Sequence, residues 1–172
     1  VYEVVRWYEG FFFDMDGHVA RMKRSLRETL ILWPEEDKFP VIARELVKLN
    51  HLDNSQALVY LQVTRGAASR THAFPSPPVS PTVYAFAREF VPENAGREAG
   101  VALTVKEDIS WARCDIKSIA LLPNTLAFQD SVSNGFFECA FVRDGSITEC
   151  SHSNIFFVQK GILFTHPESE SI

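Results

Sequence analysis

The first half of the chain alternates between strand-like and helix-like spacing of apolar residues. Residues 1–7 alternate weakly between apolar and polar positions, and a turn at 8–10 precedes an aromatic run, which predicts a hairpin. Across residues 17–33 the apolar positions recur at steps of three and four, which predicts an amphipathic helix. A second helix is predicted over residues 40–50, because the proline at its start suits a first helical position.

The next segment predicts two neighbouring strands separated by a long loop. Residues 57–64 and 82–90 are rich in β-branched and aromatic side chains, as strands are. The intervening residues 65–81 contain a glycine and four prolines, a composition that excludes regular structure. We expect this segment to be an ordered or mobile loop.

Turn-forming residues at 92–96 lie between predicted strands and indicate a linker between two domains. The expected domains are residues 1–91 and residues 97–172, giving an α+β chain whose helices are concentrated in the first half. The elements predicted for the second domain are a helix at 118–133 and strands at 101–106, 136–142, 146–149 and 154–159, with hairpin turns at 144–145 and 160–161.

Composition and charge restrict the classes of function. The chain has 172 residues, of which 46% are hydrophobic and 14 are Phe, enough for a core. A net charge of -5 without a basic cluster argues against a nucleic-acid partner. The 3 cysteines are widely spaced, so they suggest neither a disulfide framework nor a zinc site, and they favour a cytoplasmic location. The sequence lacks an apolar run of about 18 residues, so no membrane partner is expected.

Neither end of the sequence has the features of a natural terminus. Val1 falls inside a predicted strand, and the last residue follows a polar segment at 165–171. We therefore expect the chain to be a fragment, or the ordered part, of a longer polypeptide.

Lys117 lies between a polar turn and a strongly apolar run. A lysine amine that is partly desolvated can act as a nucleophile toward an aldehyde, because its neutral form is favoured. The alternative is an exposed lysine whose methylene stem lies on apolar neighbours. For the residue taken by itself the exposed lysine is the more common case, and it is the resemblance described next that favours the first interpretation.

Two motifs resemble those of the fold-type IV pyridoxal-phosphate enzymes. They are residues 108–124 (Asp-Ile-Ser-Trp-Ala-Arg-Cys-Asp-Ile-Lys-Ser-Ile-Ala-Leu-Leu-Pro-Asn) and residues 148–154 (Thr-Glu-Cys-Ser-His-Ser-Asn). The family contains D-amino-acid transaminases, branched-chain transaminases and aminodeoxychorismate lyase. The resemblance implies a two-domain fold with a smaller N-terminal α/β domain and a mainly β C-terminal domain, here incomplete at both ends. It also implies the cofactor pyridoxal 5'-phosphate and a homodimer.

The resemblance also implies roles for individual residues. Lys117 would form the Schiff base with the cofactor, Glu149 would keep the pyridine nitrogen protonated, and Arg21 would bind the phosphate. Without the resemblance, Glu149 would be a hydrated carboxylate at a strand end and Arg21 part of the polar face of a helix. The residues that would line the same region are Ser151, His152, Ser153 and Asn154.

This chain departs from the usual family run after Glu149. Cys150 stands where a glycine is common, and His152 stands where a small serine is common. The departure concerns the packing beside the cofactor more than the role of the glutamate.

Three residues of the first domain point to the substrate. Arg70 and His72 are similar to the Arg-x-His loop of D-amino-acid transaminases, and Tyr2 matches the tyrosine that acts with that loop. A guanidinium, an imidazole and a phenol together form a specific site for one carboxylate. Alternatively, Arg70 and His72 belong to a solvated basic loop.

These residues imply transamination between D-amino acids and 2-oxo acids with ping-pong kinetics, in which Lys117 acts as general base and acid. Branched-chain L-amino-acid transaminase and aminodeoxychorismate lyase remain alternatives, because they share the Lys and Glu motifs. A cofactor-free fragment or non-catalytic module is the alternative outside enzymes. It is suggested because the Gly-Ile-Thr-like phosphate turn of the family would come directly after Ile172.

Overall fold

The computed structural model describes residues 1–92 and 95–172 and divides into two compact units. The first unit comprises Val1–Pro92 together with the short segment Ile116–Ile119. The second comprises Glu93–Asp115 and Ala120–Ile172. The segment that carries Lys117 therefore packs within the first unit, whereas the chain on both sides of it belongs to the second.

The predicted linker at 92–96 includes residues 93 and 94, which lie outside the described residues. A short helix, α3 (Ala95–Ala99), follows them. Across residues 1–92 and 95–172, none of the helices combines the length and the apolar character needed to cross a bilayer.

An antiparallel sheet of four strands forms the frame of the first unit. The strands are β1 (Tyr2–Tyr8), β2 (Phe11–Phe12), β3 (Gln56–Thr64) and β4 (Thr82–Glu89), in the order β2-β1-β3-β4. The hairpin of β1 and β2 and the pairing of β3 with β4 confirm the predictions made for these segments.

Two helices, α1 (Met15–Glu28) and α2 (Phe39–Leu49), contribute to the same core as the sheet, and a single 3-10 turn (Glu36–Lys38) precedes α2. On β1, the odd positions Glu3, Val5 and Trp7 are buried, and the even positions are only partly buried. The other buried apolar residues of this core are Val1, Met22, Leu26, Trp33, Phe39, Ala43, Val47, Ala57, Val59, Leu61 and Val63.

Helix α1 ends earlier than the apolar spacing of residues 17–33 predicts. Leu30 adopts a left-handed conformation with φ 53, and the amide of Ile31 donates to the carbonyl of Leu26. This pattern is a Schellman cap, which stops the helix at Glu28 and reverses the chain. Trp33 still reaches the core, because the reversal returns it there.

The second unit contains two small sheets and one longer helix. Strands β5 (Leu103–Glu107) and β6 (Glu138–Arg143) pair in parallel, and β7 (Ser146–Cys150) pairs antiparallel with β6. Strands β8 (Phe157–Gln159) and β9 (Ile162–Phe164) form a separate hairpin. Both residues of each predicted turn, 144–145 and 160–161, have positive φ, as tight hairpin turns require.

Helix α4 (Leu122–Ser133) corrects the predicted helix at 118–133. Its end at Asn134 and Gly135 is as predicted, but residues 118–121 are not helical. Pro123 occupies the first turn of α4, a position that proline favours because its missing N–H has no helical partner there. The strand predicted at 154–159 is also shorter, since only Phe157–Gln159 is extended and paired.

Candidate active site

Lys117 is fixed to the first unit through its backbone. Its amide donates to Ser25 Oγ on α1 at 3.1 Å, and its carbonyl accepts from the amide of Tyr2 on β1 at 3.0 Å. The neighbouring Ile116 is only 6% exposed and anchors the segment. The Lys117 amine lies 4.7 Å from the centre of the Tyr2 ring, a cation-π distance. The structure therefore brings two of the predicted site residues, Lys117 and Tyr2, into contact.

Arg21 is held by a carboxylate that the sequence analysis did not single out. Glu3 is fully buried, and it accepts hydrogen bonds from Arg21 Nε at 2.8 Å and from Arg21 Nη2 at 2.7 Å. His18 Nδ1 lies 2.7 Å from the same carboxylate. The pairing with Arg21 is bidentate, which fixes the plane of the guanidinium. Among the described residues, Arg21 Nη1 has no hydrogen-bond partner, so its two N–H groups remain available to a ligand.

The electrostatics of this cluster favour its charged form. Burial disfavours the ionised carboxylate of Glu3, but hydrogen bonds from Arg21 and His18 outweigh burial and lower the pKa of Glu3. The hydrogen bond to Glu3 is in turn the main reason why the pKa of Arg21 is raised. The Arg21 side chain is 41% exposed, so a positive guanidinium is available to an anion from solution.

Arg21 and Lys117 are both held by hydrogen bonds that involve helix α1 and strand β1. Arg21 and Ser25 lie four residues apart on α1, so their side chains leave the same face of the helix. Arg21 binds Glu3 of β1. Ser25 binds the amide of Lys117, and the carbonyl of Lys117 accepts from the amide of Tyr2, the residue before Glu3. A small displacement of β1 against α1 would therefore move both groups.

We expect Glu3→Gln to reduce the acid sensitivity of folding. Because the pKa of Glu3 is lowered in the folded state, the unfolded chain binds more protons below the ordinary glutamate value of about 4.3. The contribution of Glu3 to the free energy of unfolding is thus present above that pH. It is lost as the pH falls through the lowered pKa that Glu3 has in the folded state. Urea midpoints measured from neutral to acid pH should fall more steeply for the wild type than for Glu3→Gln. Equal slopes would contradict the assignment, and the exposed Glu45→Gln serves as control.

The loop at 65–81 is fastened at its base by Arg65. The Arg65 guanidinium donates to the carbonyls of Thr29 and Leu30 at the end of α1, the second at 2.7 Å, and it stacks on Phe74 at 3.5 Å. Gly66, at the start of the loop, has a φ of 104°, and a Cβ at this position would lie 2.1 Å from the carbonyl oxygen of Ser80. Only glycine therefore fits here. The loop is therefore ordered where it leaves the sheet.

Arg70 and His72 lie on the exposed part of this loop. Within the described part of the chain, neither side chain has a hydrogen bond or ion pair, and neither contacts Tyr2. Thr71 between them donates to the carbonyl of Ala73 at 2.7 Å, which bends the loop locally. Arg70 and His72 are thus not assembled with Tyr2 of the same chain into one carboxylate site.

In the second unit, Glu149 lies partly buried on β7, next to the loop with the other predicted cofactor residues. Polar groups of Ser151, His152 and Ser153 converge on the buried carboxylate of Glu138 at the start of β6. Asn154 is exposed and has no hydrogen-bond partner among the described residues. The serine hydroxyls are thus occupied by a protein carboxylate.

The segment that precedes Lys117 in the chain is held by a third buried carboxylate. Asp108 pairs with Arg143 at 2.8 Å and also accepts from the amide of Ser110 at 2.9 Å. Burial works against the ionised form, but the bonds from Ser110 and Arg143 lower the pKa of Asp108. This pair fixes the end of β5 to β6.

Glu3, Glu138 and Asp108 were not predicted from the sequence. Glu3 could have been found, because the alternation of β1 places it on the same face as Val5 and Trp7. Glu138 opens the apolar strand β6, but the sequence contains no sign of the loop that surrounds it. Each is a buried carboxylate, a type of residue that occurs in proteins only when it is paired.

Comparisons with known proteins show the family to which the chain belongs. The profile of a family described as Amino-transferase class IV matches residues 1–172. A protein of Staphylococcus haemolyticus named D-alanine aminotransferase is 37% identical over 100% of this chain and 61% of its own length. The chain thus spans less than two thirds of that relative.

Two solved structures show the same fold. The branched-chain amino acid aminotransferase of Escherichia coli has a TM-score of 0.81 at 23% identity, over 99% of this chain and 60% of its own. The T.th. branched-chain amino acid aminotransferase, complexed with N-(5'-phosphopyridoxyl)-L-glutamate, has a TM-score of 0.74 at 23% identity, over 96% of this chain and 56% of its own. Both likenesses establish the α+β fold expected from the sequence.

Proposed function

Because this chain belongs to the class IV aminotransferase family, we propose that it transfers amino groups between D-amino acids and 2-oxo acids with pyridoxal 5'-phosphate as cofactor. The observation that carries the proposal is the anchoring of Lys117 between Ser25 and Tyr2, which fixes one amine beside a phenol. The 37% identical relative named D-alanine aminotransferase supports the choice of D-amino acids.

The chemistry of the side chains fits the cofactor. Arg21 offers two unused N–H groups and a positive charge, as a phosphate requires. Lys117 offers the amine, and Glu149 offers a carboxylate that can pair with a protonated pyridine nitrogen. When bound, the cofactor supplies an aldehyde for amines and a protonated ring that withdraws electrons from the substrate carbon.

The loop after Glu149 offers further polar groups that suit the cofactor. Asn154 has an unused side-chain amide, whereas the hydroxyls of Ser151 and Ser153 already donate to Glu138. The contribution of these two serines to the cofactor is therefore to shape the loop. The exposed imidazole of His152 extends outward from the same loop.

Lys117 would also move the proton at the substrate Cα. Its backbone is fixed by two hydrogen bonds, so the amine swings only about its own side-chain bonds. Tyr2 holds the amine on one side through its ring. A carboxylate bound by Tyr2, Arg70 and His72 would then decide which enantiomer presents its hydrogen to Lys117.

The carboxylate site supports the proposal of a homodimer. Arg70 and His72 are exposed cationic and polar groups that have no partner within the described part of their own chain. Tyr2 of a second copy could provide the missing member of the site. The free thiols of Cys114, Cys139 and Cys150 suit a reducing compartment, so we also propose a cytoplasmic location.

Substrate choice provides the test of the proposed reaction. The purified protein with pyridoxal phosphate should convert D-alanine and a 2-oxo acid into pyruvate and a new D-amino acid, with parallel lines in double-reciprocal plots. Reaction with L-leucine alone would indicate a branched-chain transaminase. Absence of cofactor binding would indicate a non-catalytic module.

We expect Arg70→Ala to raise KM for D-alanine by roughly 10- to 100-fold, because a charged hydrogen bond to a carboxylate contributes about 1.5–3 kcal/mol. The loss should be far smaller for an amine substrate that lacks a carboxylate. Steady-state kinetics with both substrates measure the difference. Arg27→Ala is the control, since this arginine is 70% exposed on α1. An unchanged KM in Arg70→Ala would remove Arg70 from the site.

A further inference from the structure

The loop that follows Glu149 is organised around one carboxylate. Glu138 Oε1 accepts from the backbone amides of His152 at 2.7 Å and Ser153 at 3.1 Å, and from Ser151 Oγ at 3.2 Å. Glu138 Oε2 accepts from Ser153 Oγ at 2.7 Å. His152 Nδ1 lies a further 2.8 Å from Oε1. Four groups on three consecutive residues thus meet a single side chain, with the imidazole as a fifth.

The burial of Glu138 makes these contacts decisive for the loop. The residue is 1% exposed, and a buried carboxylate without hydrogen bonds would be strongly unfavourable. Among the described residues, the only donors to it come from the loop at 151–153. The loop and the carboxylate therefore require each other, since neither satisfies its polar groups alone.

Further bonds transmit this constraint to both sides of the loop. The amide of Ser151 donates to the carbonyl of Cys139 on β6 at 2.9 Å, and Asn124 on α4 donates to the carbonyl of Ser151 at 3.1 Å. The amide of Cys150 donates to the carbonyl of Ser153 at 2.8 Å, which closes the turn directly after Glu149. The position of the end of β7 thus depends on the shape of the turn.

The imidazole of His152 is fixed in the same way. Its Nδ1 faces Glu138, and its ring meets Phe128 on α4 edge to face, with the ring centres 4.8 Å apart. The side chain is 59% exposed, so the opposite edge of the ring is open to solvent. A carboxylate behind an imidazole sets the orientation in which the free nitrogen is presented.

We propose that Glu138 is a positioning residue of the cofactor site, which sets the shape of the loop at 150–154 and through it the placement of Glu149 and the imidazole of His152. The inference deepens the proposed function and rests on it. Glu138 itself would not contact the cofactor.

Two substitutions separate position from charge. Glu138→Gln keeps the length of the side chain and an oxygen for the amides of His152 and Ser153, but it removes the charge. Glu138→Asp keeps the charge but is one methylene too short to reach both amides. The same two substitutions at Glu107, an exposed glutamate on β5, provide the control.

Two readouts apply to each variant. The first is hydrogen exchange at the amides of His152 and Ser153 in protein without added cofactor. The second is the dissociation constant of pyridoxal phosphate. We expect Glu138→Asp to accelerate the exchange and weaken the binding by about tenfold or more, the range found when orienting partners behind a ligand are removed. Glu138→Gln should stay within about threefold of the wild type in both, and the Glu107 variants should not change.

Each outcome decides one point. Wild-type exchange and affinity in Glu138→Asp would overturn the positioning role. A larger loss in Glu138→Gln than in Glu138→Asp would mean that the charge, and not the position, matters. If the wild type itself did not bind pyridoxal phosphate, the proposed function would fail, while the exchange data would still test the hold of Glu138 on the loop.

Discussion

Replacing Lys117 by alanine is expected to lower kcat for D-alanine by roughly 10⁴-fold, because in the proposed reaction one amine would both hold the cofactor and move the substrate proton. The fold should survive, since the segment is anchored by its backbone bonds to Ser25 and Tyr2 and by Ile116. We therefore expect the free energy of unfolding to change by less than about 1 kcal/mol. Single-turnover kinetics and urea unfolding measure the two quantities.

Lys48→Ala is the matched control, because this lysine is exposed on α2 in the same unit. It should retain wild-type kcat. Addition of methylamine should restore part of the activity of Lys117→Ala, since a free amine can replace the missing base. Substantial kcat in Lys117→Ala without added amine would contradict the assignment.

Replacing Arg21 by alanine is expected to have the largest effect on stability. The substitution leaves the fully buried Glu3 with only the imidazole of His18 beside its carboxylate. Removing one partner of a fully buried ion pair costs about 3–5 kcal/mol, and we expect a loss at or below the lower end of this range because Arg21 is 41% exposed to solvent. Removal of the guanidinium should also weaken binding of pyridoxal phosphate, because the phosphate would lose the positive charge and the N–H groups of Arg21 Nη1 that Glu3 leaves unused. Urea unfolding and cofactor titration at neutral pH measure the two effects.

Arg21→Lys separates the two roles of this arginine. A lysine keeps the charge beside Glu3 but cannot bind Glu3 and a phosphate at the same time in fixed planar geometry. We expect it to recover most of the stability and little of the affinity. The variant Arg27→Ala, on the same helix, should change neither. Wild-type affinity in Arg21→Ala would remove Arg21 from the phosphate site.

The helix ends show why part of the fold was predictable and part was not. Helices α1, α2 and α4 end in the same backbone pattern, with a residue of positive φ directly after the cap. In α4 that residue is Gly135, which is easily recognised in a sequence. In α1 and α2 it is Leu30 and His51, which rarely adopt this conformation. Their strain is offset by the capping bonds, such as that from Leu52 to Val47, which only the structure reveals.

The segment at 116–119 shows a second limit. Local spacing predicted a helix from residue 118, because apolar residues continue into α4. The segment instead packs with a unit far away in sequence, through the contacts of Lys117 with Tyr2 and Ser25. Pairings over such separations depend on tertiary packing, which single-sequence periodicity does not contain.

For the candidate site, the residue types were predictable but their supports were not. The motifs pointed to Lys117, Arg21 and Glu149, since each role demands a specific functional group. The carboxylates of Glu3 and Glu138, which bind Arg21 and the loop after Glu149, are buried instead. Glu3 could be placed by strand alternation, whereas Glu138 depends on a loop whose shape the sequence does not encode locally.

The most direct test of the account is to map the lysine that binds the cofactor. The wild-type protein would be mixed with pyridoxal phosphate, reduced with borohydride and digested, and its peptides analysed by mass spectrometry. We expect the phosphopyridoxyl group to be found on Lys117 at a ratio near one per chain. A label spread over exposed lysines such as Lys48 and Lys160, with Lys117 unmodified, would contradict it.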